Sequence, residues 1–181
     1  MRLFVGIKLK DNIKEKIYSY AKIIPKCYRL TKPQNLHITL LFLGEVEEIF
    51  LPEIINKIKF AIRDIHIIKA SLDSMGQFPE KGKARIIYIS GKQGEEELKK
   101  LAFLIKDNLW DFKENKEKIE EFKFHITLAR LNERERFISY NLIKEIEEKI
   151  FFTIEEVTLF KSELHKNGPI YTEIWNGSLL S

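Results

Sequence analysis

Apolar residues along this chain keep two periods, and where each one holds predicts the elements. Residues 2–9 alternate well enough for a strand. Behind Asp11, a residue suited to capping a helix, Ile13, Ile17, Ala21 and Ile24 keep helical spacing until Pro25 stops them. Residues 36–43 form an apolar, β-rich strand closed by Gly44. Pro52 suits the first turn of a second helix, whose buried stripe is Ile54, Ile55, Ile58, Ala61, Ile62 and Ile65. Residues 66–72 read as a strand and residues 77–83 as the best linker. The order then begins again, with a strand over 85–90 and a helix over 95–110 that turns Leu98, Leu101, Ala102, Ile105 and Leu109 inward. A charged loop over 113–121, a strand over 122–128, a helix over 138–150 and closing strands over 152–160 and 170–175 complete the pattern.

Both halves therefore share one plan: strand, helix, strand, helix, strand. At the centre of each lies the same tetrapeptide, His37-Ile38-Thr39-Leu40 and His125-Ile126-Thr127-Leu128. The two histidines are 88 residues apart, and the opening strands begin about 83 apart, at Arg2 and Arg85. This near match predicts one two-lobed domain spanning residues 1–181, an approximate internal repeat of 1–78 and 85–181. The chain holds only four histidines and six threonines, so a double coincidence of spacing at this composition is improbable. His66 and His165 lack the threonine partner and read as polar surface or strand-end residues.

Composition narrows the setting. The 181 residues are 44% hydrophobic and 32% charged, a globular balance with a dense Lys/Glu surface. Cys27 is the only cysteine, so neither an internal disulfide nor a cysteine-based metal site is expected. No apolar run approaches the ~20 residues of a membrane span, and the first residues read as a strand and not a signal peptide. The expectation is a cytoplasmic monomer that engages no membrane. A net charge of +4 does not itself establish nucleic-acid binding, but Lys22, Lys26, Arg29 and Lys32 collect before the first motif with no acidic residue among them.

The doubled motif suggests a chemistry. Residues two apart on a strand share a face, so His37 and Thr39 point together, as do His125 and Thr127. If the lobes are related by an approximate twofold, the two faces confront each other across one cleft. In-line displacement at a phosphodiester needs a base on one side of phosphorus and an acid on the other, and two imidazoles supply both. Threonine hydroxyls would hold the non-bridging oxygens. No third Cys, Asp or Glu stands beside either motif at ligand spacing, so no metal or other cofactor is expected. Tyr28, Phe42 and Phe124 are candidates for stacking on a base, with Phe42 taken as substrate-binding.

The sequence resembles the 2H phosphoesterases, specifically the RNA 2′,3′-cyclic phosphodiesterase branch once called 2′-5′ RNA ligases. The strongest elements are Asn35-Leu36-His37-Ile38-Thr39-Leu40-Leu41-Phe42-Leu43-Gly44-Glu45 and Phe124-His125-Ile126-Thr127-Leu128-Ala129-Arg130. Weaker ones are Gly76-Gln77-Phe78-Pro79 and the closing Leu159-Phe160-Lys161-Ser162-Glu163-Leu164 with Gly168 and Tyr171. The resemblance implies an α+β, bilobal fold, with two pseudo-symmetric lobes of antiparallel sheet, helices outside and a cleft between. It implies opening of an RNA or nucleotide 2′,3′-cyclic phosphate to a 2′-phosphate. It makes His37 the proton donor and His125 the acceptor that activates water, so His37 is expected charged and His125 neutral. Thr39 and Thr127 become phosphate-holding hydroxyls and Arg130 a phosphate contact, while Ser162 and Tyr171 match the pattern without a role. Two alternatives stay open: 2′-5′ joining of tRNA halves at the same site, and a non-catalytic module that only grips RNA ends.

Overall fold

The computed structural model describes residues 1–114, 121–132, 144–166 and 168–181. Their elements run β1 (Arg2–Lys8), α1 (Asp11–Ala21), β2 (Tyr28–Leu30), β3 (His37–Glu45), α2 (Leu51–Ile62), β4 (Ile68–Phe78), β5 (Ile86–Ser90), α3 (Glu95–Asn108), β6 (Ile126–Leu131), β7 (Lys144–Ile154), β8 (Glu156–His165) and β9 (Gly168–Ser178). All strand pairings between these elements are antiparallel, in the order β7-β4-β5-β6-β3-β1-β8-β9, with β2 added to β6. The architecture is α+β, as the resemblance implied.

Helical spacing folds as expected where it is backed by bulk. Ile13, Ile17 and Ala21 are buried on α1, Ile54, Ile58, Ala61 and Ile62 on α2, and Leu98, Leu101, Ala102 and Ile105 on α3. Pro52 takes its place in the first turn of α2. Asp11 does not cap α1. The cap is Lys10, in extended conformation, and Asp11 lies one residue inside, its carboxylate 3.2 Å from Lys14 Nζ. The helix also ends at Ala21, short of Pro25.

Three expectations fail locally. The helix expected over 138–150 is a strand over residues 144–150, and residues 138–143 lie outside the described ones. Its buried residues, Ile146, Ile150 and Ile154, recur every four positions. That spacing keeps one face of a helix and equally one face of a strand, and pairing with β4 decides for the strand. The stretch expected to run as one strand over 152–160 breaks at Glu155 between β7 and β8. The linker expected over 77–83 is the end of β4 and a hairpin turn, with Phe78 registered on Ile86 of β5. Its Pro and Gly serve a turn as well as they would serve a linker.

The sheet halves do not coincide with the sequence halves. β4 leaves the first half to pair with β5, and β8 leaves the second to pair with β1. The halves meet at β3 and β6 through the register pair Ile38 and Ile126, both fully buried. No helix among the described residues is long and apolar enough to cross a membrane.

Candidate active site

The central seam brings the two motifs together. Ile38 and Ile126 turn into the core, so the residues either side of each turn to the opposite face. His37, Thr39, His125 and Thr127 accordingly all line one cavity of about 590 Å³. A bulge in β3 carries the wall further. Val5 pairs with Leu41 but Gly6 with Thr39, leaving Leu40 extra. Phe42 is thereby turned outward, 51% exposed, and joins the cavity wall.

Each imidazole is held the same way. His37 Nδ1 lies 2.7 Å from the Asn35 carbonyl oxygen, and His125 Nδ1 lies 2.7 Å from that of Lys123. A carbonyl only accepts, so Nδ1–H donates in both and Nε2 is left for chemistry. In neutral His37 the Thr39 hydroxyl donates to Nε2 across 3.0 Å. Aromatic rings pack each imidazole edgewise or tilted. Phe4 and Tyr171 lie 4.9 and 5.1 Å from His37, and Phe78 and Tyr88 lie 5.2 and 5.7 Å from His125. Behind them Phe4 stacks on Phe160 and Phe78 on Tyr88.

This apolar packing sets the protonation. Burial pushes the His37 imidazole down to about 4, against the smaller upward pull of its Asn35 hydrogen bond, and His125 and Arg130 add repulsion. Burial lowers His125 too, helped by Arg130 and Lys123. In the protein alone both therefore favour the neutral form near pH 7. The charged form that a proton donor needs is disfavoured at His37 by the protein alone, because desolvation outweighs the Asn35 hydrogen bond. Burial also raises the Tyr171 phenol, which keeps its proton as a donor.

The remaining candidates separate cleanly. Arg130 lines the cavity at the end of β6. Of the basic group before the first motif, Arg29 and Lys32 line it and Lys22 and Lys26 do not. Tyr28 is buried, its hydroxyl donating to the Ala84 carbonyl over 3.1 Å, and Phe124 is buried as well, so both are core and not stacking platforms. Tyr171 lines the cavity, whereas Ser162 does not. His66, exposed and near the C-terminal carbonyl of Ser181, stands outside the cavity, as does His165 at the end of β8. Cys27 is a partly buried free thiol. No cluster of three metal-ligating side chains occurs among the described residues.

Sequence patterns missed three contributors. Asn35 opens the first motif with no role given to it, yet it is buried and its Nδ2 donates to the Pro169 carbonyl over 2.8 Å, tying the His37 support to the β8–β9 hairpin. Phe78 and Tyr88 read as linker and strand, yet they support His125. Only the packing of β4 on β5 brings them there.

Residues 23–166 match the family model described as the 2′-5′ RNA ligase superfamily. The chain belongs to this superfamily. Among curated proteins it is similar to the RNA 2′,3′-cyclic phosphodiesterase of Archaeoglobus fulgidus, 32% identical over 96% of this chain and 98% of that one. It is equally similar to the protein of the same name from Methanocaldococcus jannaschii, 32% identical with 96% and 98% covered. A solved structure from Thermus thermophilus superposes with TM-score 0.83 at 27% identity, covering 99% of this chain and 98% of the other. Escherichia coli LigT complexed with 3′-AMP superposes with TM-score 0.81 at 26% identity over the same shares. The superfamily match spans both His-Ile-Thr-Leu motifs and the seam that joins them.

Proposed function

We propose that this chain opens the 2′,3′-cyclic phosphate at an RNA end to a 2′-phosphate. Water attacks phosphorus, the P–O3′ bond breaks, and O3′ leaves with a proton. His125 takes the proton of the attacking water, and His37 gives its proton to O3′. Each transfer contributes about 10²–10⁴ in rate. Thr39, Thr127 and Arg130 hold the phosphate oxygens as charge builds on them. The observation that carries this reading is the pair of imidazoles in one cavity, both fixed through Nδ1 to a main-chain carbonyl so that Nε2, which in His37 meets the Thr39 hydroxyl, is the atom left to exchange a proton.

The donor must be charged when O3′ leaves, and the substrate supplies the means. A phosphate anion beside His37 favours its protonated form and offsets the burial that lowers it. No metal enters the scheme, since side chains perform both transfers. The names of the curated relatives support the substrate class.

Product analysis on a ribonucleotide ending in a 2′,3′-cyclic phosphate, with EDTA present, tests the reading. A 2′-phosphate is expected. A 3′-phosphate, or turnover only after a divalent cation is restored, would overturn it. The family description favours one second reading: a 5′-hydroxyl replacing water in the same displacement to form a 2′-5′ linkage. Adding tRNA halves with 5′-hydroxyl ends to the same assay measures that product directly.

A further inference from the structure

The cavity is nearly symmetric at its floor and one-sided above it. α3 lends Lys99, Phe103 and Lys106 to the wall. α1, which follows β1 as α3 follows β5, contributes none among the described residues. The three α3 residues are spaced four and three apart, which places them on one helical face over about 10 Å. Lys99 lines the same cavity as Phe122, Lys123 and His125, so the face and the catalytic floor share one wall.

The charge exceeds what the reacting group needs. A cyclic phosphate carries one negative charge, while the described residues that line the cavity include seven Lys or Arg side chains and one acid, Glu121. Some are partly compensated, Lys123 by Glu80 and Lys99 by Glu95 and Glu96. The surplus still calls for further phosphates. Phe103 adds a second sign. It is 65% exposed between the two lysines, where it contributes little to the core. An exposed ring flanked by cations is the arrangement that stacks a base and tracks a single-stranded backbone. An acidic peptide would use the lysines but leave the ring idle.

Resting on the reading of the active site above, we infer that α3 is a second-nucleotide subsite: the RNA strand upstream of the cyclic end runs along Lys99, Phe103 and Lys106, a base stacking on Phe103. An oligonucleotide end is therefore preferred over a free cyclic nucleotide.

The test uses the full chain, a 5′-fluorescein pentaribonucleotide ending in a 2′,3′-cyclic phosphate, and 2′,3′-cyclic AMP. The double variant Phe103→Ala with Lys106→Ala lowers the ratio of oligonucleotide to mononucleotide kcat/KM about tenfold or more. Lys106→Ala alone makes the salt dependence of oligonucleotide binding shallower by about 0.7 in log–log slope. An unchanged ratio, or equal losses on both substrates, overturns the subsite while leaving the active site standing. If the unmodified protein hydrolyses neither substrate, the active-site reading falls and fluorescence anisotropy decides the subsite. A tenfold weaker oligonucleotide affinity in the double variant then supports it, and an unchanged affinity or equal competition by polyglutamate overturns it.

Discussion

Ile38 of β3 pairs directly with Ile126 of β6, so the second residues of two identical tetrapeptides face each other across the centre of the sheet. Extended one residue each way, this antiparallel register sets His37 opposite Thr127 and Thr39 opposite His125. All four side chains line the one cavity.

Removing either imidazole removes one proton transfer. His37→Ala and His125→Ala each lower kcat by about 10²–10⁴. The double variant falls little further, because the two act as one unit. Single-turnover assays with thermal melts measure this. A variant retaining more than half of the original rate would sink the acid/base scheme.

Asn35 is expected to matter beyond its turn. Its side chain holds the β8–β9 hairpin at Pro169 while its carbonyl receives His37 Nδ1–H. Asn35→Ala breaks the first link and loosens the second, costing about 1–2 kcal/mol in urea unfolding. The rate falls with it, and Asn35→Asp, which lacks the amide donor, does not restore it.

The motif could be read from the chain because its period is local, and its duplication announced one cleft. The pairing of Ile38 with Ile126 could not, since register between strands 88 residues apart is a property of the folded sheet. Residues 144–150 misled for a different reason: apolar side chains every fourth position satisfy both periods, and only β4 as a partner separates them. Phe42 is turned to the cavity by a bulge at Leu40, which strict alternation does not foresee. On α3, helical spacing leaves Phe103 outside the buried stripe, and only the folded chain sets it at the cavity wall.

Two glycines are constrained by the site they support. A Cβ on Gly6 would stand 2.6 Å from the Ile38 carbonyl oxygen, and one on Gly76 would stand 2.5 Å from the Tyr88 ring. The first contact is backbone of the motif strand, the second a side chain that can shift. Gly6→Ala should therefore cost about 1–3 kcal/mol in stability and most of the activity. Gly76→Ala should destabilise less but still slow turnover by moving Tyr88 against His125. Chemical denaturation beside initial rates separates the two, and equal stability losses would contradict the ranking.

Folding stability should carry the signature of His37. Its folded value of about 4 lies below the ordinary 6.5, so between them the unfolded chain binds a proton that the folded chain does not. Stability then rises with pH through this window and is lost as pH falls from 6.5 towards 4. Glu155 and Glu173, held low by Lys10 and Lys8, change in the same direction, so the comparison must be with a variant. Between pH 7 and 4.5 the original protein should lose about 2 kcal/mol more than His37→Gln. Parallel losses in the two proteins would remove the linkage.

The rate profile should differ between the free and the loaded enzyme. In kcat/KM the ionisations are those of the free protein, where burial lowers both imidazoles. One must be charged and the other neutral, so kcat/KM rises through about pH 4 and declines before reaching the ordinary histidine range. Its maximum therefore lies on the acid side of 6.5. In kcat the phosphate anion is already bound and favours the charged imidazole, so that profile shifts towards alkaline pH. Stopped-flow rates below and above KM across pH 4–9 measure both curves. Coincident curves with a shared maximum above pH 7 would show that the bound anion does not set the charge of His37.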